Sequence, residues 1–179
     1  MRAFIGILAP EGVRNAGIRM QEELRNSGVI GKFVEPQNLH LNLSFLDEIT
    51  EEELQEFGAK LDLIAKGYKR VEIQVSSLKA IPNTKFARVV AFGVSGGNDA
   101  LTSLSRDIQK SIGGDVKPPH MTLCRVKELK DKKAFGDFIE KNASMNFASF
   151  EIDSVQIIKS ELTREGPIYS VVHESKFSM

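Results

Sequence analysis

The sequence predicts an α+β fold built from two similar lobes, and three observations lead to this class. Predicted helices connect predicted strands, yet several strands follow one another directly, as they do in antiparallel hairpins. The block that begins at Leu39, with a strand, a helix and a strand pair, resembles the block that begins at His120. The chain has 179 residues, 41% of them hydrophobic, which suits one domain or two closely packed lobes with a substantial core.

Apolar periodicity places the elements of the first half of the chain. Pro36 separates two strand-like runs because proline cannot continue a central ladder. Thr50 and Glu53 have the spacing of a capping box and predict the start of the clearest helix. The predicted elements are a strand over 2–9, a helix with apolar positions from 13 to 24, a strand pair or bent strand over 30–34 and 39–46, and a helix between 50 and 67.

The second half continues with the same kinds of element. They are two antiparallel strands over 71–75 and 86–94, a helix between 97 and 113, a strand over 120–126, a helix over 134–139, and strands over 147–159 and 168–173. Two Gly-Gly pairs bound the helix between 97 and 113. Neither pair is followed by the Gly-Lys-Ser/Thr of a P-loop, so we interpret them as helix boundaries and not as a nucleotide cradle.

Composition excludes several classes of protein. The 24 basic and 24 acidic side chains give zero net charge, which argues against broad coating of nucleic acid and leaves room for a local phosphate site. Cys124 has no partner for an intrachain disulfide, which favours a reducing, cytoplasmic setting. No apolar run approaches the roughly 20 residues of a membrane span, so we expect a soluble, unprocessed protein. One cysteine and three histidines nearly exclude a structural zinc site.

Two of the three histidines begin predicted strands in similar surroundings. They lie 80 residues apart, which is the period of the repeated block, so a pseudo-twofold fold would turn both toward one cleft. Strand alternation gives each histidine a polar neighbour two residues on. The two predicted polar faces consist of His40, Asn42 and Ser44, and of His120, Thr122 and Cys124.

Such a pair suits acid/base chemistry at a phosphate. A histidine with a pKa of about 6.5 gives or takes a proton near neutral pH, so one ring can serve as the acid and the other as the base. A histidine at a strand start often only bonds a nearby backbone group, and either one alone favours that interpretation. The matched pair with repeat-matched spacing favours cyclic-phosphate or phosphodiester chemistry.

The two segments His40-Leu41-Asn42-Leu43 and His120-Met121-Thr122-Leu123 resemble the paired His-x-Thr-x tetrads of the two-histidine phosphoesterase superfamily. Their surroundings are similar to the RNA 2′,3′-cyclic phosphodiesterase branch, also called LigT-like or 2′-5′ RNA ligase. The similarity covers nearly the whole chain. It includes residues 2–5, 33–46, 82–93, 120–127 and 166–169.

The resemblance implies a single domain over residues 1–179. Its two lobes would have pseudo-twofold symmetry, with two antiparallel sheets forming a central cleft and helices packed outside. It also implies hydrolysis of RNA 2′,3′-cyclic phosphate ends to 2′-phosphate without a metal or cofactor, together with reversible 2′-5′ ligation. The implied substrates are RNA ends, tRNA fragments among them, or small cyclic nucleotides, and the implied state is a cytoplasmic monomer.

The resemblance further assigns roles to individual residues. His40 is the implied proton donor to the leaving 3′ oxygen, and His120 is the implied base that activates water. Thr122 and Asn42 are expected to bond the non-bridging phosphate oxygens. Arg125 matches a phosphate-binding position, and a guanidinium suits that role. Strict alternation would aim Arg125 away from His120, so this assignment requires a bulge or a strand end.

Two departures from the family pattern bear on activity. Asn42 replaces the usual threonine, and a larger amide changes the reach of the hydrogen bond to the phosphate. The chain has no tryptophan, and Ala91 takes the place of the tryptophan that the family usually has in the middle strand pair. Phe45 or Phe92 would then have to stack on a base. The alternative functions are a catalytically weakened RNA-end-binding protein and an esterase for small cyclic nucleotides or ADP-ribose cyclic phosphate.

Overall fold

Two antiparallel β-sheets and four helices make up the structure, a computed structural model that describes residues 1–179. The helices are α1 (Glu11–Asn26), α2 (Glu51–Ala65), α3 (Asn98–Ser111) and α4 (Lys132–Lys141). The strands are β1 (Arg2–Leu8), β2 (Val29–Phe33), β3 (His40–Glu48), β4 (Val71–Ile81), β5 (Val89–Val94), β6 (His120–Leu129), β7 (Asn146–Ile152), β8 (Ser154–Thr163) and β9 (Gly166–Lys176). None of the helices is both long enough and apolar enough to cross a membrane.

The two sheets repeat one strand arrangement. The four-stranded sheet has the order β3-β1-β8-β9, and the five-stranded sheet has the order β2-β6-β5-β4-β7. All neighbouring strands are antiparallel, so β6-β5-β4-β7 matches β3-β1-β8-β9 strand for strand. The predicted pseudo-twofold, bilobal α+β fold is confirmed, and β2 is an extra edge strand that only one sheet carries.

The helices cover the outer faces and connect the two lobes. Helix α1 follows β1 of the four-stranded sheet but packs on β7, β2 and β6 of the other sheet. Helix α3 follows β5 of the five-stranded sheet but packs on β3 of the first. One continuous hydrophobic core results, and its fully buried side chains include Leu39, Leu43, Leu123 and Phe135. The two inner faces approach each other where β3 contacts β6.

Two local predictions have different outcomes. The capping box is confirmed, since Glu53 N donates to Thr50 Oγ1 at 3.0 Å and Thr50 N donates to Glu53 Oε2 at 2.8 Å. The single strand predicted over 147–159 is wrong, because the chain breaks at Asp153 and crosses from β7 in one sheet to β8 in the other. Two consecutive polar residues, Asp153 and Ser154, mark the break, because they shift the apolar positions from 150 and 152 to 155 and 157.

Glycine is required at Gly31, where the edge strand β2 approaches β6. A Cβ atom there would collide with the carbonyl oxygen of Arg125, which is backbone and cannot turn aside. Gly136 in α4 is the opposite case, because nothing lies within 4 Å of its missing Cβ. The close approach at Gly31 therefore fixes the distance between β2 and the strand that carries His120.

We expect Gly31→Ala to lower the free energy of unfolding by about 1–3 kcal/mol, because overpacking forces the two strands apart. The control, Gly136→Ala, should raise the free energy of unfolding by about 0.5–1 kcal/mol, because alanine is the better helix former. Urea denaturation of both variants measures the two changes. A Gly31→Ala variant as stable as the wild type would show that β2 moves away from β6 without cost.

Candidate active site

His40 and His120 begin β3 and β6, the two strands at which the sheets contact each other. Both histidines are partly buried. The charges of His120 and Arg125 both act on the His40 ring and lower its pKa, which places the three groups in one electrostatic neighbourhood. The structure therefore brings the two predicted histidines and Arg125 together.

Each histidine ring is held by the carbonyl oxygen two residues before it. His40 Nδ1 lies 2.7 Å from Asn38 O, and His120 Nδ1 lies 2.8 Å from Pro118 O. A carbonyl oxygen can only accept, so Nδ1 must carry the hydrogen in both rings. Each histidine therefore does bond a nearby backbone group, as expected for a histidine at a strand start. The bond uses Nδ1 and leaves Nε2 of each ring available for acid/base chemistry.

A β-bulge in β6 returns Arg125 to the face that carries His120. Thr122 pairs with Ala91 of β5, but Cys124 pairs with Val90, so Leu123 is an extra residue in β6. The extra residue reverses the alternation. We call the face of each sheet that carries its histidine the cleft face. Arg125 lies on the cleft face of the five-stranded sheet, although strict alternation would place it on the opposite face.

The same bulge corrects two sequence predictions. Cys124 is fully buried on the opposite face, where burial raises the pKa of its thiol to about 11, so it does not accompany His120 and Thr122. In β3 the extra residue is Leu43. Ser44 is therefore also turned away from the cleft face, and its hydroxyl donates to Gly113 O at the end of α3, at 2.8 Å.

Asn42 and Thr122 occupy equivalent positions in the two lobes. Asn42 pairs with Gly6 of β1, as Thr122 pairs with Ala91 of β5. The Asn42 Nδ2 atom is enclosed by protein and has no hydrogen-bond partner. A buried donor without a partner is rare and costly. This donor lies two residues from His40 on the cleft face, and a phosphate oxygen could accept from it once the amide turns toward the cleft.

Aromatic rings surround His40. Its ring centroid lies 4.7 Å from that of Phe4 and 5.4 Å from that of Tyr169, which meets it edge-on. Burial is the largest influence on His40 and lowers its pKa, against the opposing effect of the bond to Asn38. Sequence reasoning did not single out Phe4 and Tyr169, although both lie in segments that carry the family resemblance.

Of the two phenylalanines considered for base stacking, only Phe45 is accessible. Phe92 is fully buried and stacks on Phe147, with ring centroids 4.7 Å apart. Phe45 is 43% exposed and pairs with Phe4 across β1 and β3, so it lies on the cleft face. In the strand alignment of the two lobes, Phe45 of β3 takes the place that Arg125 has in β6.

The third histidine belongs to the packing of the four-stranded sheet. His173 Nε2 lies 2.9 Å from Asp62 Oδ1 of α2, and the ring fills the space above Gly58. The prediction of an edge-strand histidine is confirmed, since β9 is an edge strand.

The site contains no metal-ligand cluster. No three His, Cys, Asp or Glu side chains are grouped as metal ligands would be. Two cavities lie elsewhere, one of about 370 Å³ beside α1 and α4 and one of about 140 Å³ beside the junction of β7 and β8. Neither cavity is lined by a histidine, so neither belongs to the site.

Comparisons with known proteins agree with this arrangement. A family model described as LigT like Phosphoesterase matches residues 7–91 and 93–169. A protein of Aquifex aeolicus named RNA 2′,3′-cyclic phosphodiesterase is 33% identical over 97% of this chain and 96% of its own. A protein of the same name from Methanocaldococcus jannaschii is 34% identical over 97% of this chain and 99% of its own.

Solved structures share the fold. The crystal structure of TT0787 of Thermus thermophilus matches with a TM-score of 0.81 at 24% identity, over 99% of this chain and 98% of that chain. The crystal structure of E. coli LigT complexed with 3′-AMP matches with a TM-score of 0.75 at 20% identity, with the same coverage. At these identities the two matches establish the α+β architecture of this chain.

We expect Asn42→Thr to raise the free energy of unfolding by about 1 kcal/mol, because it removes an enclosed donor without a partner and introduces a strand-favouring residue. Thermal or urea denaturation measures the change. The reciprocal control is Thr122→Asn, which should destabilise, because it replaces a strand-favouring β-branched residue of β6 by a larger amide. A less stable Asn42→Thr variant would mean that the amide contributes a favourable contact.

Proposed function

The chain belongs to the LigT-like phosphoesterase family, and from this premise we propose that it hydrolyses 2′,3′-cyclic phosphate ends of RNA to 2′-phosphate ends. His40 and His120 supply the acid and the base. One observation carries the proposal: two rings, each anchored at Nδ1 by the carbonyl two residues before it, leave two free Nε2 atoms on facing strands. This is the arrangement that in-line opening of a cyclic phosphate requires.

The reaction needs one proton removed and one proton delivered. His120 Nε2 takes a proton from water as the water oxygen bonds to phosphorus. The bond from phosphorus to O3′ breaks, and His40 Nε2 delivers its proton to O3′, which leaves a 3′-hydroxyl and a 2′-phosphate. Exchange with solvent returns both rings to their starting states. If an RNA 5′-hydroxyl replaces water, the same bond changes form a 2′-5′ linkage.

Three further side chains stabilise the charge on the phosphate. The Thr122 hydroxyl and the Asn42 amide donate to the non-bridging oxygens, and the unpartnered Asn42 Nδ2 supports this role. The Arg125 guanidinium faces the same charge and suits an anion better than an ammonium does, because it donates in a fixed fork. Hydrogen-bond donors placed in advance where charge develops are the usual source of such stabilisation.

The substrate also occupies the aromatic side of the cleft. Phe45 offers an exposed ring on which the terminal base stacks, and such stacking contributes roughly 1–3 kcal/mol per base. We infer that residues 1–179 act as one phosphoesterase domain, a cytoplasmic monomer acting on RNA ends that include tRNA fragments. The buried, unpaired thiol of Cys124 supports a reducing compartment.

A second candidate function is binding of RNA ends without turnover. The enclosed Asn42 amide favours it, because a donor that is shut away in the unliganded protein must turn before it meets a phosphate. Wild type and Asn42→Thr, assayed on an oligonucleotide with a 2′,3′-cyclic phosphate, separate the two functions. Binding without turnover by the wild type, with turnover in the variant, would favour the binding protein.

We expect His40→Ala and His120→Ala each to lower kcat by about 10²–10⁴-fold, the usual contribution of a general acid or base. Release of the 2′-phosphate product measures the loss, and circular dichroism checks that both variants fold. The matched control is His173→Gln, which should retain activity because His173 packs against α2. A chelator should leave the rate unchanged, and full activity in either alanine variant would disprove the two-histidine mechanism.

The pH dependence of kcat/KM tests which ring is the acid. An acid must be protonated in the free enzyme, and burial lowers the pKa of His40, so the alkaline limb of the profile should lie below the ordinary value of about 6.5. The measurement is kcat/KM between about pH 4.5 and 9. Activity undiminished above neutral pH would show that His40, with its lowered pKa, is not the proton donor.

A further inference from the structure

Lys79 lies on the cleft face of the five-stranded sheet. It pairs with Ala91 of β5, which pairs in turn with Thr122 of β6. Directly paired residues of neighbouring strands point to the same face. Lys79 therefore shares a face with Thr122 and His120, while the adjacent Leu78 is buried on the opposite side, beneath α4.

The side chain of Lys79 runs toward His120. A Cβ atom at Gly93 would lie 2.8 Å from Lys79 Cε and 2.5 Å from Ser77 Oγ, so the lysine stem covers this glycine. Gly93 is the residue that pairs with His120. Ser77 has a left-handed φ of 64° at a β-bulge, which places Ser77 and Lys79 over the same glycine.

No carboxylate neutralises Lys79. The chain forms seven ion pairs, and none includes Lys79, Lys32 or Arg125. Lys32 pairs with Arg125 across β2 and β6, so it lies on the cleft face as well. A chain with zero net charge thus presents three exposed, unpaired cations on one face of one sheet. Such a local field favours an anion with more than one phosphate.

The backbone of Lys79 lies to one side of the reacting phosphate, although its side chain reaches over Gly93 toward His120. That phosphate lies between β3 and β6 in the proposed mechanism, whereas Lys79 is on β4, beyond β5. Its Cα is two strand spacings, about 10 Å, from that of Thr122. Ala91 between them is fully buried, so the cleft surface that a nucleotide chain would cross here is formed by exposed side chains, Lys79 among them.

We propose that Lys79 binds the phosphodiester that joins the terminal nucleotide to the rest of the RNA. This inference rests on the proposed function and deepens it. A nucleoside 2′,3′-cyclic phosphate with a free 5′-hydroxyl has no second phosphate, whereas every longer RNA end has one. Lys79 thereby makes the enzyme selective for RNA ends over cyclic mononucleotides, and it does so beside Ala91, the position at which the family resemblance implies a stacking ring.

The test compares two substrates, adenosine 2′,3′-cyclic phosphate and the dinucleotide ApA with a 2′,3′-cyclic phosphate. In wild type we expect a lower KM for the dinucleotide. Lys79→Gln should raise KM for the dinucleotide about tenfold at unchanged kcat and should leave both constants for the mononucleotide unchanged. It should also weaken the salt dependence of dinucleotide binding, because one charge-charge contact is lost.

Two control variants accompany the test. Lys79→Arg should restore the preference, since it retains the charge. Lys133→Gln should change nothing, because Lys133 is an exposed, unpaired lysine of α4 on the outer side of the same sheet. An equal loss on both substrates would place Lys79 at the reacting phosphate, and no loss on either would leave it a solvated lysine. Both results overturn the proposal.

A binding measurement separates this proposal from the proposed function. Dissociation constants for adenosine 2′-phosphate and for ApA with a 2′-phosphate need no turnover. If wild type hydrolyses neither cyclic substrate, the hydrolytic function fails. If wild type binds the dinucleotide more tightly and Lys79→Gln removes this preference, the contact between Lys79 and the second phosphate is still supported. Equal affinities for the two ligands in both wild type and variant would overturn it.

Discussion

The hydrogen bond from each histidine ring to the carbonyl oxygen two residues before it ties the chemistry of the cleft to the backbone. It fixes the tautomer and the direction of the ring together, so the orientation of Nε2 is set as well. For His40 the carbonyl belongs to Asn38, a buried residue whose side chain donates to Pro167 O at 2.8 Å. The entrance to β3 is thereby anchored to the start of β9. Since the two histidines lie on different sheets, their separation then depends on the helices that cross from one lobe to the other.

The β-bulges decide which side chains accompany the histidines. Without the extra residue in β6, Arg125 would face the core and Cys124 would face the cleft. The matching bulge in β3 brings Phe45 to the cleft and leaves Ser44 bonded to the end of α3. The bulge at Leu43 in β3 and the bulge at Leu123 in β6 therefore each add a third position on the cleft face to the two that simple alternation provides. A one-residue change of register would exchange every member of the site for a core residue.

Sequence reasoning predicted what depends on local pattern and missed what depends on partners far along the chain. The capping box at Thr50 and the strand starts at His40 and His120 are encoded within a few residues, and the structure contains them. The polar pair Asp153-Ser154 interrupts the alternation locally, but only the partner strands show that the chain changes sheets there. The bulge in β6 exists only in relation to β5. Periodicity could therefore say that Arg125 needs a bulge to share a face with His120, but it could not show that the bulge exists. The enclosed Asn42 amide likewise depends on packing against β1.

The two lobes share a backbone plan and divide the chemistry between them. The cleft face around His40 is aromatic, with Phe4, Phe45 and Tyr169, whereas the one around His120 carries unpaired cations. Burial among rings lowers the pKa of His40, and the positive charges of His120 and Arg125 lower it further. In the proposed mechanism, a phosphate between His40 and Arg125 opposes that repulsion, so the bound anion would restore the proton to His40. A proton held on a ring of intrinsically low pKa is readily given to a leaving oxygen. The asymmetry of the lobes, and not a difference between the two histidine motifs, is therefore the physical basis for giving the two rings opposite tasks.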